Sequence, residues 1–203
     1  MSDDRLPPQR PDELDDQARA LYDTLTGGPR AAGPRLFSLV DDEGQLLGPF
    51  GPMLVNPVIG TAVQQVGAVL RFGGELAPRV REVAILAVAA QRRSAYEWYA
   101  HSAVATSLGL GDTELEQLRT GTVPHSLPPV EQLVATVVTE LLERRSLDDA
   151  VYDRTRDQLG VGGFGELVAL IAYYDGLDLT MSAWRTRLPV GVTDPFAADG
   201  PES

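Results

Sequence analysis

Arg81 to His101 reads REVAILAVAAQRRSAYEWYAH, and the fold is decided on this stretch. From Pro78 to about Ala90, the residues Val80, Val83, Ala84, Leu86, Ala87 and Ala90 leave little polar circumference, which is the composition of a helix buried in the middle of a domain. Pro78 stands where a first-turn proline is tolerated. Gln91 to Ser94 interrupts the run. Ser94 followed by Glu97 is the S-x-x-E pattern of a capping box, so a second helix is expected to restart there. That helix carries Tyr96, Glu97, Trp98 and His101, and the four-residue spacing puts the Glu97 carboxylate and the His101 imidazole on one face. The chain has only 2 histidines.

Upstream, residues 1–10 read as a disordered tail, and Pro11 is expected to open a helix from Asp12 to about Thr24. Arg30 to Pro57 is rich in Gly and Pro with many large apolar residues but no period. It reads as a long ordered loop that covers the site or joins an interface, with Arg35–Val40 and Gln45–Leu47 as possible short strands. Asn56 and Pro57 read as a cap and first-turn proline of a helix to about Arg71. Downstream, Thr113 with Glu116 predicts a short helix to Arg119, Leu133 to Leu142 define a helix over 129–145, and Ser146 with Asp149 opens one ending near Leu159. Gly160–Gly163 reads as a turn before a last helix from Phe164 to about Trp184. The domain reading is a single all-α unit over 11–188, with 189–203 a flexible acidic tail dispensable to the core. Glu82 and Glu166 each head an apolar helix, an echo that a duplicated helical hairpin or two unrelated buried helices would equally produce.

Composition removes whole classes of chemistry. The 203 residues have no cysteine, so disulfides, thiolate nucleophiles and Cys-ligated metals are excluded. All 17 basic residues are arginine, which excludes a Schiff-base lysine and a P-loop lysine. A net charge of -12 argues against nucleic acid or an anionic membrane as partner. The polar N-terminus resembles no signal peptide, and no apolar run has the length of a membrane span, so a cytoplasmic location is expected. His101 and Glu97 alone do not complete a metal site, and no metal is assigned.

The central stretch resembles the carboxymuconolactone decarboxylase family, which includes the AhpD-like alkylhydroperoxidases. LAPRVREVAILAVA at 76–89 and SAYEWYAHSAVATSLGL at 94–110 carry the likeness, with GELVALIAYY at 165–174, GPF at 48–50 and NPVIG at 56–60 in support. The resemblance implies an AhpD-like helical domain in a homo-oligomer, a trimer or hexamer. In the peroxidase branch, Glu82 falls on the motif glutamate, Ser94 and Glu97 on the two thiols of C-x-x-C, and His101 on the motif histidine. Serine does not cycle through a disulfide and glutamate does not reduce a hydroperoxide, so thiol peroxidase chemistry is excluded. The Tyr96-Glu97-Trp98 and His101 pattern resembles the decarboxylase branch, whose reaction removes carbon dioxide from a lactone acid without a cofactor.

The resemblance therefore implies a cofactor-independent lyase acting on a small, cyclic or conjugated carboxylate. His101, with an ordinary imidazole pKa near about 6.5, would move the proton. Glu97 would orient it or serve as the acid, and Glu82 would hold the other side, with the paired carboxylates raising one another's pKa. Arg79 or Arg81 would reach the substrate carboxylate, and Tyr96, Trp98 and Phe50 would wall the pocket. Each residue also has a plainer role: Glu97 as the capping-box partner of Ser94, Glu82 as a helix charge or partner of Arg79, the aromatics as packing, and His125 as a solvated loop residue. The alternatives on the same residues are a cofactor-free isomerase, dehydratase or cyclase, and a noncatalytic oligomer that binds a small molecule.

Overall fold

The computed structural model describes residues 5–27 and 36–197, and over these the chain is all-α. The helices are α1 (Asp16–Gly27), α2 (Phe50–Val55), α3 (Pro57–Phe72), α4 (Pro78–Arg92), α5 (Ala95–Ser107), α6 (Asp112–Arg119), α7 (Pro129–Arg144) and α8 (Asp149–Trp184). Helix α4 lies at the centre and packs against α5, α6, α7 and α8. Its residues Glu82 through Ala89 are all buried, as the near-continuous apolar run requires. Each Val, Leu or Ile so buried contributes about 1.5–3 kcal/mol, so this one helix anchors much of the core.

The α4–α5 hairpin closes in two residues. Arg93 takes a left-handed conformation (φ 54, ψ 39) and its N–H, with that of Ser94, bonds back to Ala90 and Ala89 carbonyls. The chain reverses there, and Glu82 on the first helix comes level with His101 on the second. The expected capping box does not form: Ser94 occupies the cap position, but its side chain makes no cap bond. Its hydroxyl instead bonds to Asp178 of α8, which ties the hairpin to the last helix and frees Glu97 to face the interior.

Several boundaries move for identifiable reasons. Asp15, not Asp12, caps the first helix, accepting from Gln17 and Ala18 N–H, and Pro11–Glu13 forms a separate 3-10 turn. Gly111 caps helix α6, with Glu114 reaching back to its N–H at 3.0 Å, two residues before the Thr113 signal. Asp148 rather than Ser146 caps α8, and Gly160 (φ 70, ψ 174) kinks that helix where a full turn is expected. The long segment before Pro57 contains α2, an element with no periodic signal because its buried face is Phe50–Leu54 in full. Residues 30–35 of that segment lie outside the described residues. The strand expectation reduces to one antiparallel bridge, Val40 with Leu46.

The ends also differ from expectation. Gln9 N–H donates to Gln45 Oε1 and Arg5 N–H to the Trp184 carbonyl, so residues 5–10 lie bonded along the body. Phe196 is buried edge-on against Trp98, with ring centroids 5.6 Å apart, and Arg119 donates to the Pro195 carbonyl at 2.7 Å. The chain after Arg187 thus contributes to the core as far as Phe196. The two echoing glutamates have different work: Glu82 faces His101, while the Glu166 carboxylate accepts from the backbone N–H groups of Glu75 and Leu76. Among the described residues, no helix is long and apolar enough to cross a membrane.

Candidate active site

The hairpin brings Glu82, Glu97 and His101 together in the interior, at 1%, 4% and 4% exposure. His101 Nδ1–H donates to Glu82 Oε2 at 2.6 Å, and on the other side of the ring Nε2 lies 3.4 Å from Glu97 Oε2. An ionised carboxylate only accepts, so Glu82 fixes the Nδ1 proton and leaves Nε2 directed at Glu97. Tyr174 stands edge-on to the imidazole with centroids 5.2 Å apart, holding its plane.

The charges settle Glu82. Burial pushes its carboxyl up, but attraction and hydrogen bonding from His101, followed by the charges of Arg71 and Arg81, outweigh that and hold it below its ordinary value. The expectation that paired carboxylates raise one another therefore fails for Glu82, because cations surround it. Tyr96 and Tyr174 move the opposite way: burial, then the charge of Glu97, keeps both phenols protonated as donors.

Glu97 and His101 open onto a cleft also lined by Phe37, Phe50, Tyr96 and Arg71, with Tyr173 and Tyr174 at the far wall. Glu82 lies behind His101, outside this lining. The free space is about 20 Å³, room for a single water, so a larger molecule enters only as the covering aromatics move. The covering segment is clamped at Ser38, whose carbonyl accepts from Tyr96 Oη at 3.0 Å and whose N–H donates to Tyr99 Oη at 3.1 Å. Gly48, at φ +59, lets that segment lie on the Tyr96 ring, since a Cβ there would come within 2.2 Å of it.

Three expected contacts go elsewhere. Arg79 Nε–H donates to both carboxylate oxygens of Glu131 (2.9 and 3.1 Å), and Arg79 lies 3.5 Å from Glu114, away from the cleft. Arg81 stays 3.9 Å from Glu82 and does not line the cleft. Trp98 faces outward from it, onto Phe196. Periodicity could not separate these directions, because the first turn of α4 offers arginines to both sides. The cation that does line the cleft is Arg71, which sequence reasoning passed over. A signal existed: Arg71 is the one charged residue of α3.

Residues 57–140, from α3 almost to the end of α7, match the model of the Carboxymuconolactone decarboxylase family. The central helices of the chain are thus similar to this family. Glu82, Glu97, His101 and Arg71 all fall inside the family segment. Solved structures carry the same fold: an uncharacterised peroxidase-related protein from Ralstonia eutropha JMP134 with an AhpD core (TM-score 0.71, 15% identity, covering 92% of this chain and 93% of that one), and one from Silicibacter sp. TM1040 (TM-score 0.69, 13% identity, 92% of each chain). The debrominase Bmp8, solved with 2,3,4-tribromopyrrole, is similar at TM-score 0.63 and 14% identity over 94% of each chain. No curated protein matches the sequence.

Proposed function

We propose that this protein, whose central helices resemble the carboxymuconolactone decarboxylase family, is a cofactor-independent acid–base enzyme, a carbon–carbon lyase that decarboxylates a small conjugated or cyclic acid. The observation that carries the reading is the buried row Glu82–His101–Glu97, of which His101 and Glu97 line a cleft. In the reaction, the C–CO2 bond breaks and its electron pair passes into the conjugated system of the substrate. A proton then adds at carbon. Glu82 keeps the imidazole in one tautomer and stabilises its charged form, while Nε2 and the Glu97 carboxyl exchange the proton at the cleft. Exclusion of water strengthens each of these interactions. With no thiol in the chain, this chemistry is not that of a thiol peroxidase.

The test is a set of lactone and conjugated acids incubated in D2O, followed for carbon dioxide and for deuterium at the carbon that loses it. Release with one deuterium incorporated, lost in His101→Gln, is the expected result. Turnover with unchanged carbon count transfers the same residues to isomerisation, dehydration or cyclisation. Absence of turnover with retained binding makes the protein a noncatalytic binder. We also propose a homo-oligomer, a trimer or hexamer, supported by the exposed apolar face of α3 at Val58, Ile59, Val66 and Val69; light scattering of a purified monomer would contradict it.

A further inference from the structure

Arg71 is set apart from the other arginines near the site. Arg79 has Glu131 and Glu114, Arg92 has Asp175 at 2.6 Å, and Arg93 has the Phe196 carbonyl. The Arg71 guanidinium, partly buried at the end of α3, makes no hydrogen bond or ion pair among the described residues, and stands over the neighbouring Phe72 ring, 5.8 Å from its centroid. The helix C-terminus tolerates a cation there but supplies no acceptor to its fork. No carboxylate on α3 can fold back to it, since that helix has none. Yet its charge is felt at Glu82 and Tyr174, so it sits beside the proton-transfer row rather than in bulk water.

The surfaces around it are flat and aromatic. Phe37, Phe50, Tyr96, Tyr173 and Tyr174 line the same cleft, and the two buried phenols Tyr96 and Tyr174 remain neutral. Once the covering rings part, a planar molecule can stack on such surfaces, and a guanidinium fork at one side matches a carboxylate in two parallel hydrogen bonds. An unpaired cation in a narrow aromatic cleft is the recognition element of a planar organic anion.

We propose that Arg71 is the anchor for the carboxylate of a planar, ring-bearing or conjugated acid, which it docks with its π-system against the cleft aromatics and its far end toward His101 and Glu97. This rests on the acid–base reading of the site for its catalytic consequence, but the binding itself does not require turnover. A carboxylate gripped by Arg71 is neutralised and poorly disposed to leave as carbon dioxide. The leaving carboxylate is therefore a second group of the substrate, or the anchored group survives in the product.

The full chain titrated with benzoate, and separately with the neutral benzamide, tests this by the ring signals of its two histidines. Benzoate is expected to shift His101 and leave exposed His125 unmoved, with affinity at least tenfold weaker in Arg71→Met and partly restored in Arg71→Lys; weak benzamide binding should be the same in all three. Circular dichroism of each variant confirms that the helices persist, and Arg71→Lys supplies the reading should Arg71→Met fail to fold. Equal benzoate affinity in wild type and the folded variants, or no shift of His101 by benzoate at all, overturns the proposal. Benzoate binding through Arg71 without turnover of any acid would leave the anchor standing and remove the lyase reading alone.

Discussion

Two clusters built on α4 each set two carboxylates around one nitrogen-bearing side chain, and they do opposite things. At one, Arg79 donates to Glu131 and is flanked by Glu114, which also accepts from Gly111 N–H and the Ser126 hydroxyl. Each carboxylate oxygen there has a partner, so the cluster fastens α4 to α6 and α7. At the other, His101 lies between Glu82 and Glu97, one carboxylate turned inward and one facing open space. A group saturated with partners has no bonds left to offer a substrate. Site and strut differ less in residue type than in what their carboxylates face.

Substitutions should separate the two clusters cleanly. Glu97→Gln keeps the volume and removes the titrating group, so turnover is expected to fall roughly 10²–10⁴-fold while thermal unfolding changes little; unchanged turnover would make Glu97 another strut. At the other cluster, Arg79→Ala leaves the Glu131 carboxylate, 5% exposed, without its cation. Stability is expected to drop by about 1–3 kcal/mol in denaturant titration, with activity of the folded fraction intact. An activity loss there without a stability loss would break the distinction from the opposite side.

The polarity of Glu82 gives a smaller effect that pH resolves. Its carboxyl is held below its ordinary value of 4.5 in the fold, by His101 above all against the opposing effect of burial. As pH falls, the unfolded chain takes up this proton first, so the pair's contribution is complete above pH 4.5 and disappears as pH drops through the folded value. Denaturation followed between neutral pH and the acid limb should show this loss, and Glu82→Gln should flatten that part of the profile. A slope unaltered in Glu82→Gln would mean that His101 does not hold the carboxylate in its ionised form.

The α4–α5 hairpin was legible because hydrophobic crowding and four-residue spacing are local facts, and they place Glu82, Glu97 and His101 without knowledge of the rest. What stayed hidden was direction across the bundle. Arg79 and Arg71 stand within one short stretch of each other, but one turns toward α7 and the other toward the cleft, a choice made by Glu131 far along the chain and not by neighbours in sequence. Trp98 likewise takes its partner from the C-terminal segment, whose acidic composition hides one buried phenylalanine. Ser94 and Glu97 form a capping pattern in sequence, and tertiary partners, Asp178 and His101, claim both side chains instead.

The central claim is that His101 is a ring fixed by Glu82 and presented to Glu97, and it is tested most directly by nitrogen NMR of the imidazoles, where only His125 competes for assignment. The account predicts a Nδ1-protonated His101 with a slowly exchanging ring proton that is lost in Glu82→Gln, and an Nε2 resonance that moves in Glu97→Gln. A His101 whose tautomer mixture and proton exchange match those of exposed His125, and stay the same in both variants, would contradict it.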